Sequence, residues 1–235
     1  MEHDIIESNI NNDETYPTFN ETCSYEDALI ANRQKTRECL RYAIVIDATS
    51  SMHSYWYGAK DAVKHAVDTI KSKKFNIPIE INIIAYRDVC NGEDVLSYSG
   101  YLEDTDDINH FIANMQCFGG GDDPENVEVG LNAVIGPQAN LCILIGDAPP
   151  HNFSRYNEQK DFDGCKEAIK LGEQNCPIYA LYIHGGSNSP NRLSFEKLAS
   201  LSNGKAYHLK DNYKDIGDLI GTIIAHDPVL LKHTC

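Results

Sequence analysis

Asp47 ends an uncharged run, residues 42–46, and is followed within four positions by Thr49, Ser50 and Ser51. Two further stretches share this character. Residues 119–121 are glycines that lead into Asp122, Asp123, Pro124 and Glu125, and the apolar run 141–146 ends on Asp147 before Ala-Pro-Pro-His151. Carboxylates and hydroxyls are hard oxygen donors, suited to an octahedral Mg²⁺, or Mn²⁺, that keeps some of its water. Each stretch alone has an ordinary explanation. Asp47 suits a helix cap and the serines suit a turn. Pro124 and Glu125 suit the first turn of a helix, and Asp147 suits a loop. Clustered acids repel one another without a cation, so the three stretches taken together point to a divalent metal site.

That inference requires the three stretches to converge, and the pattern of elements supplies a way. Residues 42–46 form a short continuous apolar run, as in a strand covered on both faces. Ala59, Ala62, Val63, Ala66, Val67 and Ile70 recur at helical spacing and predict a helix over 55–73. A β-branched strand follows over 77–86, then a short edge strand over 94–102 and a helix over 104–115 with acids in its first turn. The glycine loop opens a helix with Val127, Leu131, Val134 and Ile135 inward. Residues 141–145 predict a second buried strand, and 176–185 a third. Helices over 158–174, 191–202 and 212–225 and a short strand over 205–209 complete the pattern. Alternating strands and helices predict an α/β fold with a mostly parallel sheet and helices on both faces. In such a sheet, ligands bind beyond the carboxyl ends of the strands, where the strand order reverses. All three oxygen-rich loops leave the sheet at that edge.

The residues Asp47, Ala48, Thr49, Ser50 and Ser51 resemble the D-x-S-x-S motif of the von Willebrand factor A domain, with Thr49 in place of the first serine. The element order over 40–225 is similar to that family. The glycine loop resembles the D-x-P-E loop of integrin β subunits, and the Asp147 loop resembles the family's third metal loop. With Ala85-Tyr-Arg-Asp88, these features look most like the A domains that accompany alpha-type protein kinases in protists, although this chain has no room for the kinase. The resemblance implies a three-layer αβα Rossmann-like domain whose central sheet is mostly parallel, with one antiparallel edge strand. It further implies a metal-ion-dependent adhesion site. Asp47, Thr49 and Ser51 would come from the first loop and Glu125 from the second. Asp147 would bind directly or through water. Asp122 would be a supporting residue or a ligand of a neighbouring ion. Glu125 stands where many members have threonine, which adds negative charge and leaves open which of Asp122, Asp123 and Glu125 ligates. The implied function is non-enzymatic capture of a partner protein's carboxylate at Mg²⁺.

A Mg²⁺-dependent hydrolase or phosphatase is the alternative, with Asp47 or His151 acting at the same acids, although His151 reads more readily as a residue that orders its loop beside the site. No nucleophile elbow and no phosphate-cradling loop supports it. His53, Tyr55, Trp56 and Tyr57 are candidates for the rim of the site, or for packing at a helix start. Arg87 and Asp88 are candidates for pairing with each other, or for Arg87 steadying the acids. The net charge of −15 disfavours nucleic acid and favours cations and basic partners. Eight acids and no Lys or Arg fall in the first 32 residues. Residues 1–38 are therefore expected to be an acidic, partly disordered arm with a lead-in helix, 39–226 the folded domain and 227–235 a tail. The start lacks the basic flank and apolar core of a signal peptide, and no run of about 18 apolar residues occurs, so a cytoplasmic protein without a membrane span is expected. Cys142 reads as a small core residue.

Overall fold

The computed structural model describes residues 39–72, 75, 77–121, 124–136, 139–151, 163–183, 190–209 and 214–231. The acidic arm and Asp122 and Asp123 lie outside the described residues. So do most of the segment 184–192 and the end of the tail.

Apolar strand sequences place the sheet at the centre. β1 (Leu40–Asp47) has only Arg41 partly exposed. Burying each of its large aliphatic side chains contributes about 1.5–3 kcal/mol. Helix α1 (His53–Ser72) leads to β2 (Ile79–Tyr86) and β3 (Leu96–Tyr98). Next come α2 (Thr105–Asn114), α3 (Val127–Ile135), β4 (Leu141–Gly146), α4 (Gly164–Glu173), β5 (Ile178–Tyr182), α5 (Pro190–Leu201), β6 (Lys205–His208), α6 (Lys214–Ala225) and α7 (Pro228–Leu231). The strand order is β3-β2-β1-β4-β5-β6. All neighbours are parallel except β2 and β3.

Alternation along the strands divides the core into two layers. Ile44, Ile46, Ile81 and Ile83 pack with Val63 and Val67 of α1 and Ile220 and Ile224 of α6. Ala43, Val45, Tyr86, Cys142 and Leu144 pack on the other face with Leu131 of α3, Leu171 of α4 and Phe195 of α5. Helices on both faces make the domain a three-layer sandwich, and Cys142 is a core residue as its apolar context indicates.

One strand is shorter than its sequence pattern, and one expected helix lies partly outside the described residues. The strand expected over 94–102 narrows to Leu96–Tyr98, because the preceding residues wind into 3₁₀ turns capped by Asp88 and broken at Gly92. The described part of the helix expected over 158–174 is Gly164–Glu173, capped by the Asp163 carboxylate on Cys165 N and Lys166 N. After α6 the chain stays on the body: Asp227 accepts from the buried Tyr42 hydroxyl at 3.0 Å, and Leu230 is buried in the core. Among the described residues no helix is long and apolar enough to cross a membrane.

Candidate functional site

The strand order reverses between β2-β1 and β4, and the predicted donors gather at that edge. Asp47 is the last residue of β1, in register with Tyr86 at the end of β2, and is fully buried. Its Oδ1 accepts from Thr49 N at 2.9 Å and from Thr49 Oγ1 at 2.7 Å. The Tyr86 hydroxyl lies 3.4 Å from Oδ2. Thr49 Oγ1 is 3.0 Å from Ser51 Oγ, and Ser51 Oγ donates to Asp147 Oδ1 at 2.9 Å. The exits of β1 and β4 are thus joined by a line of oxygens. Each hydroxyl carries one proton. If Thr49 donates to Asp47 and Ser51 to Asp147, no proton is left between the two hydroxyl oxygens unless a carboxyl supplies one.

Glu125 approaches from the second loop. Its backbone N–H donates to Pro149 O at 3.0 Å, and it forms a parallel bridge with Pro150. The side chain is buried, 3 % exposed, and among the described residues its Oε2 finds no hydrogen-bond partner. Burial, then the charges of Asp47 and Asp88, push the Glu125 carboxyl up to about 9 against the pull of a Thr49 hydrogen bond. Burial and the Asp147 charge push Asp47 up to about 7, against its bonds from Thr49 and Tyr86. Three acids so placed do not all ionise at neutral pH without a counter-charge. Among the described residues no three His, Cys, Asp or Glu side chains form a chelating group by themselves, so a metal here also needs the hydroxyls.

Ser51, Glu125 and Asp147 line a cleft of about 520 Å³ together with Tyr55, Gly120 and Asn191, among others, while Asp47 and Thr49 are buried behind its wall. Glycines are required in its wall. Gly119 and Gly120 have φ of 77° and 72°. A Cβ on Gly120 would lie 2.7 Å from Glu125 Oε1 and 3.0 Å from Thr49 Cβ. Gly120→Ala is expected to lower stability by at least about 1 kcal/mol, because it adds left-handed strain to a clash. Urea unfolding measures this, and an unchanged midpoint would refute the tight packing of the loop on Thr49 and Glu125.

No protein-family model matches the chain. It is 29 % identical over 188 residues to an ariadne-like RING finger protein of Acanthamoeba polyphaga mimivirus, covering 74 % of this chain and 18 % of that protein. It is 24 % identical over 156 residues to the alpha-protein kinase vwkA of Dictyostelium discoideum, covering 64 % of this chain and 25 % of the kinase. The chain therefore spans a quarter or less of the length of these curated relatives. Among solved structures, a von Willebrand factor type A protein from Catenulispora acidiphila superimposes with a TM-score of 0.57 at 16 % identity, over 81 % of this chain and 43 % of that one. The fold is that of a von Willebrand factor A domain. The kinase match agrees with the subgroup that the sequence motifs resemble.

The other candidates have separate fates. His53 is exposed at the start of α1 and does not line the cleft. Trp56 packs in the core, Tyr55 lines the cleft and Tyr57 is exposed. Arg87 donates to the carbonyls of Asp94 and Gln116 at 2.9 and 2.6 Å and stacks 4.2 Å over the Phe118 ring, rather than pairing with Asp88. Asp88 instead meets His151, whose other ring nitrogen meets Glu128. Both ring nitrogens that a general base would use are thus engaged by carboxylates.

Sequence reasoning did not single out Tyr86, Asn91, Glu128 or Asn191. Asn91 Oδ1 accepts from Gly120 N at 3.2 Å, and Asn191 Nδ2 donates to Asp147 O at 3.3 Å. Glu128 was the findable one: an acid in the first helical turn, in line with Val127 and Leu131, faces a buried layer and needs a partner.

Proposed function

We propose that this chain is a non-enzymatic, divalent-metal-dependent protein-binding module. The von Willebrand A fold is that of a protein-interaction module, and the cleft supplies the means of interaction. Asp47, Thr49, Ser51, Glu125 and Asp147 would hold Mg²⁺ or Mn²⁺, with Asp122 as a further contributor from the adjoining loop. Bound there, the ion supplies a Lewis-acidic position for an Asp or Glu of a partner protein. What supports this reading is the surplus of oxygens over protons. Thr49 Oγ1 to Ser51 Oγ is 3.0 Å and Ser51 Oγ to Asp147 Oδ1 is 2.9 Å. Neighbouring ligands of an octahedral ion with bonds of 2.0–2.1 Å stand about 2.9 Å apart. Glu125 Oε2, which finds no hydrogen-bond partner among the described residues, gives the set a further donor oxygen.

Glu125 raises the negative charge around the ion. It strengthens cation retention and weakens the pull on an incoming carboxylate, and the net charge of −15 draws basic surfaces around the point of contact. In both curated relatives the matched region is part of a much longer protein, which suits a recognition module set beside other activities. Proteins captured by the immobilised chain in Mg²⁺ are expected to be released by chelator and never captured by Asp47→Ala. Capture that is identical in chelator would overturn the metal-dependent reading.

A further inference from the structure

Behind the cleft, three segments are tied together by one imidazole. His151 Nδ1 lies 2.7 Å from Glu128 Oε1, and Nε2 lies 3.1 Å from Asp88 Oδ1. All three residues are buried, with exposures of 7 %, 1 % and 4 %. A neutral imidazole has one N–H and presents a lone pair at its other nitrogen. Carboxylates at both nitrogens call for the doubly protonated ring, since a lone pair facing a buried carboxylate would be repelled.

Each acid belongs to a different part of the site's frame. Asp88 follows β2 and caps the next turn by accepting from Val89 N at 2.6 Å. Its own N–H donates to Asn91 Oδ1 at 3.2 Å, the same oxygen that holds Gly120 N. Glu128 stands in the first turn of α3, three residues after Glu125. His151 follows Pro149 and Pro150, which pair with the Glu125 backbone. One ring therefore reaches the glycine loop through Asp88 and Asn91, and the Glu125 loop through Glu128 and the prolines.

We propose that Asp88, His151 and Glu128 form an ionic latch, closed while the imidazole carries both protons, that holds the glycine loop and the Glu125 loop in place beneath the cleft. His151 is then a positioning residue. Its effect on cation binding rests on the function proposed above, but the latch itself does not. Among the described residues, the charged groups facing the ring are Glu128 from α3 and Asp88 from the β2 exit, and the Asp88 charge also reaches Glu125. Burial pulls the His151 pKa down, while the Glu128 hydrogen bond and the Glu128 and Asp88 charges outweigh it and leave the pKa above 6.5. The latch is therefore complete below that ordinary value and is lost as pH rises through the raised folded value.

The test uses the full ¹⁵N-labelled chain without metal, with imidazole and backbone spectra recorded from pH 5 to 9. Both His151 ring nitrogens are expected to carry protons at neutral pH, and the Gly120 and Glu125 amides to report the same midpoint as the ring. Glu128→Gln removes one facing charge and is expected to move ring and amide midpoints down together. An unprotonated ring nitrogen at pH 7, or amides that fail to follow the ring in wild type or variant, would overturn the latch. Mn²⁺ titration is a second readout, with Glu128→Gln expected to weaken binding about 10- to 100-fold, the range for losing a group that supports metal ligands. Equal Mn²⁺ affinity in the two proteins would overturn the positioning role. Should wild type bind no Mn²⁺ at all, the cation reading fails while the spectra still decide the latch.

Discussion

Mg²⁺ or Mn²⁺ at 100 times its dissociation constant is expected to stabilise the wild-type domain by about 2.7 kcal/mol, and Asp47→Asn not at all. For a domain of this size the wild-type shift amounts to roughly 5–10 °C in the unfolding midpoint. The substitution is chosen to leave the fold intact. The side-chain amide oxygen of the variant can still accept from Thr49 N and Thr49 Oγ1, as Asp47 Oδ1 does at 2.9 and 2.7 Å. What disappears is a buried negative charge that burial and Asp147 already disfavour. At pH 8 without metal, the variant should therefore unfold no earlier than wild type. A thermal scan of both proteins in chelator, Mg²⁺, Mn²⁺ and Ca²⁺ decides the matter. Equal shifts in both proteins would place the ion away from Asp47, and no shift in either would remove the cation from the proposed function.

The second large effect is a loss of metal-free stability with rising pH. Asp47 is raised from 3.8 to about 7 and Glu125 from 4.5 to about 9, in both cases chiefly by burial. An acid with a raised folded pKa holds its proton in the native state after the unfolded chain has released it. Stability therefore falls as pH climbs above the unfolded values, and stops falling once the folded values are passed. Each retained proton gives a slope of up to about 1.4 kcal/mol per pH unit. The window runs from about pH 4 to 7 for Asp47 and on to about 9 for Glu125. His151 adds a loss of the same sign at its own raised value, so Glu125→Gln is the control that isolates the upper part of the window. Urea unfolding at intervals from pH 5 to 9 should show a falling metal-free curve, flattened by saturating Mg²⁺. A metal-free curve that rises or stays level over this range would contradict the packing of the acids.

Much of this was legible in the chain itself. The uncharged run before Asp47 and the apolar run before Asp147 marked two buried strands, because only strands covered on both faces tolerate such runs. The alternation with helical repeats marked the sheet as parallel, and a parallel sheet sends all its oxygen-rich exits to one edge. That sufficed to name Asp47, Thr49, Ser51 and Asp147 as neighbours, whereas Glu125 stands between two helices and was added, with Asp122, on the resemblance of its loop. Local signals also misled. The pattern over 94–102 promised a longer strand than Leu96–Tyr98, because the cap at Asp88 and the turn at Gly92 redirect the chain first.

What only the tertiary structure decided are the pairings between distant segments. The register of β1 on β2 sets Tyr86 beside Asp47. The approach of α3 brings Glu128 to His151, and the exit of β2 brings Asp88 to the other side of the same ring. A histidine just after Asp147 reads more readily as a group that orders its loop than as a catalytic base, but which groups it holds is unknown until the positions of both its nitrogens are known. The physical reason is range. Periodicity and turn chemistry act over a few residues and dictate which face a side chain takes. The distances between loops come from sheet register and from how closely the helices pack on it, and neither is encoded in any one stretch of chain.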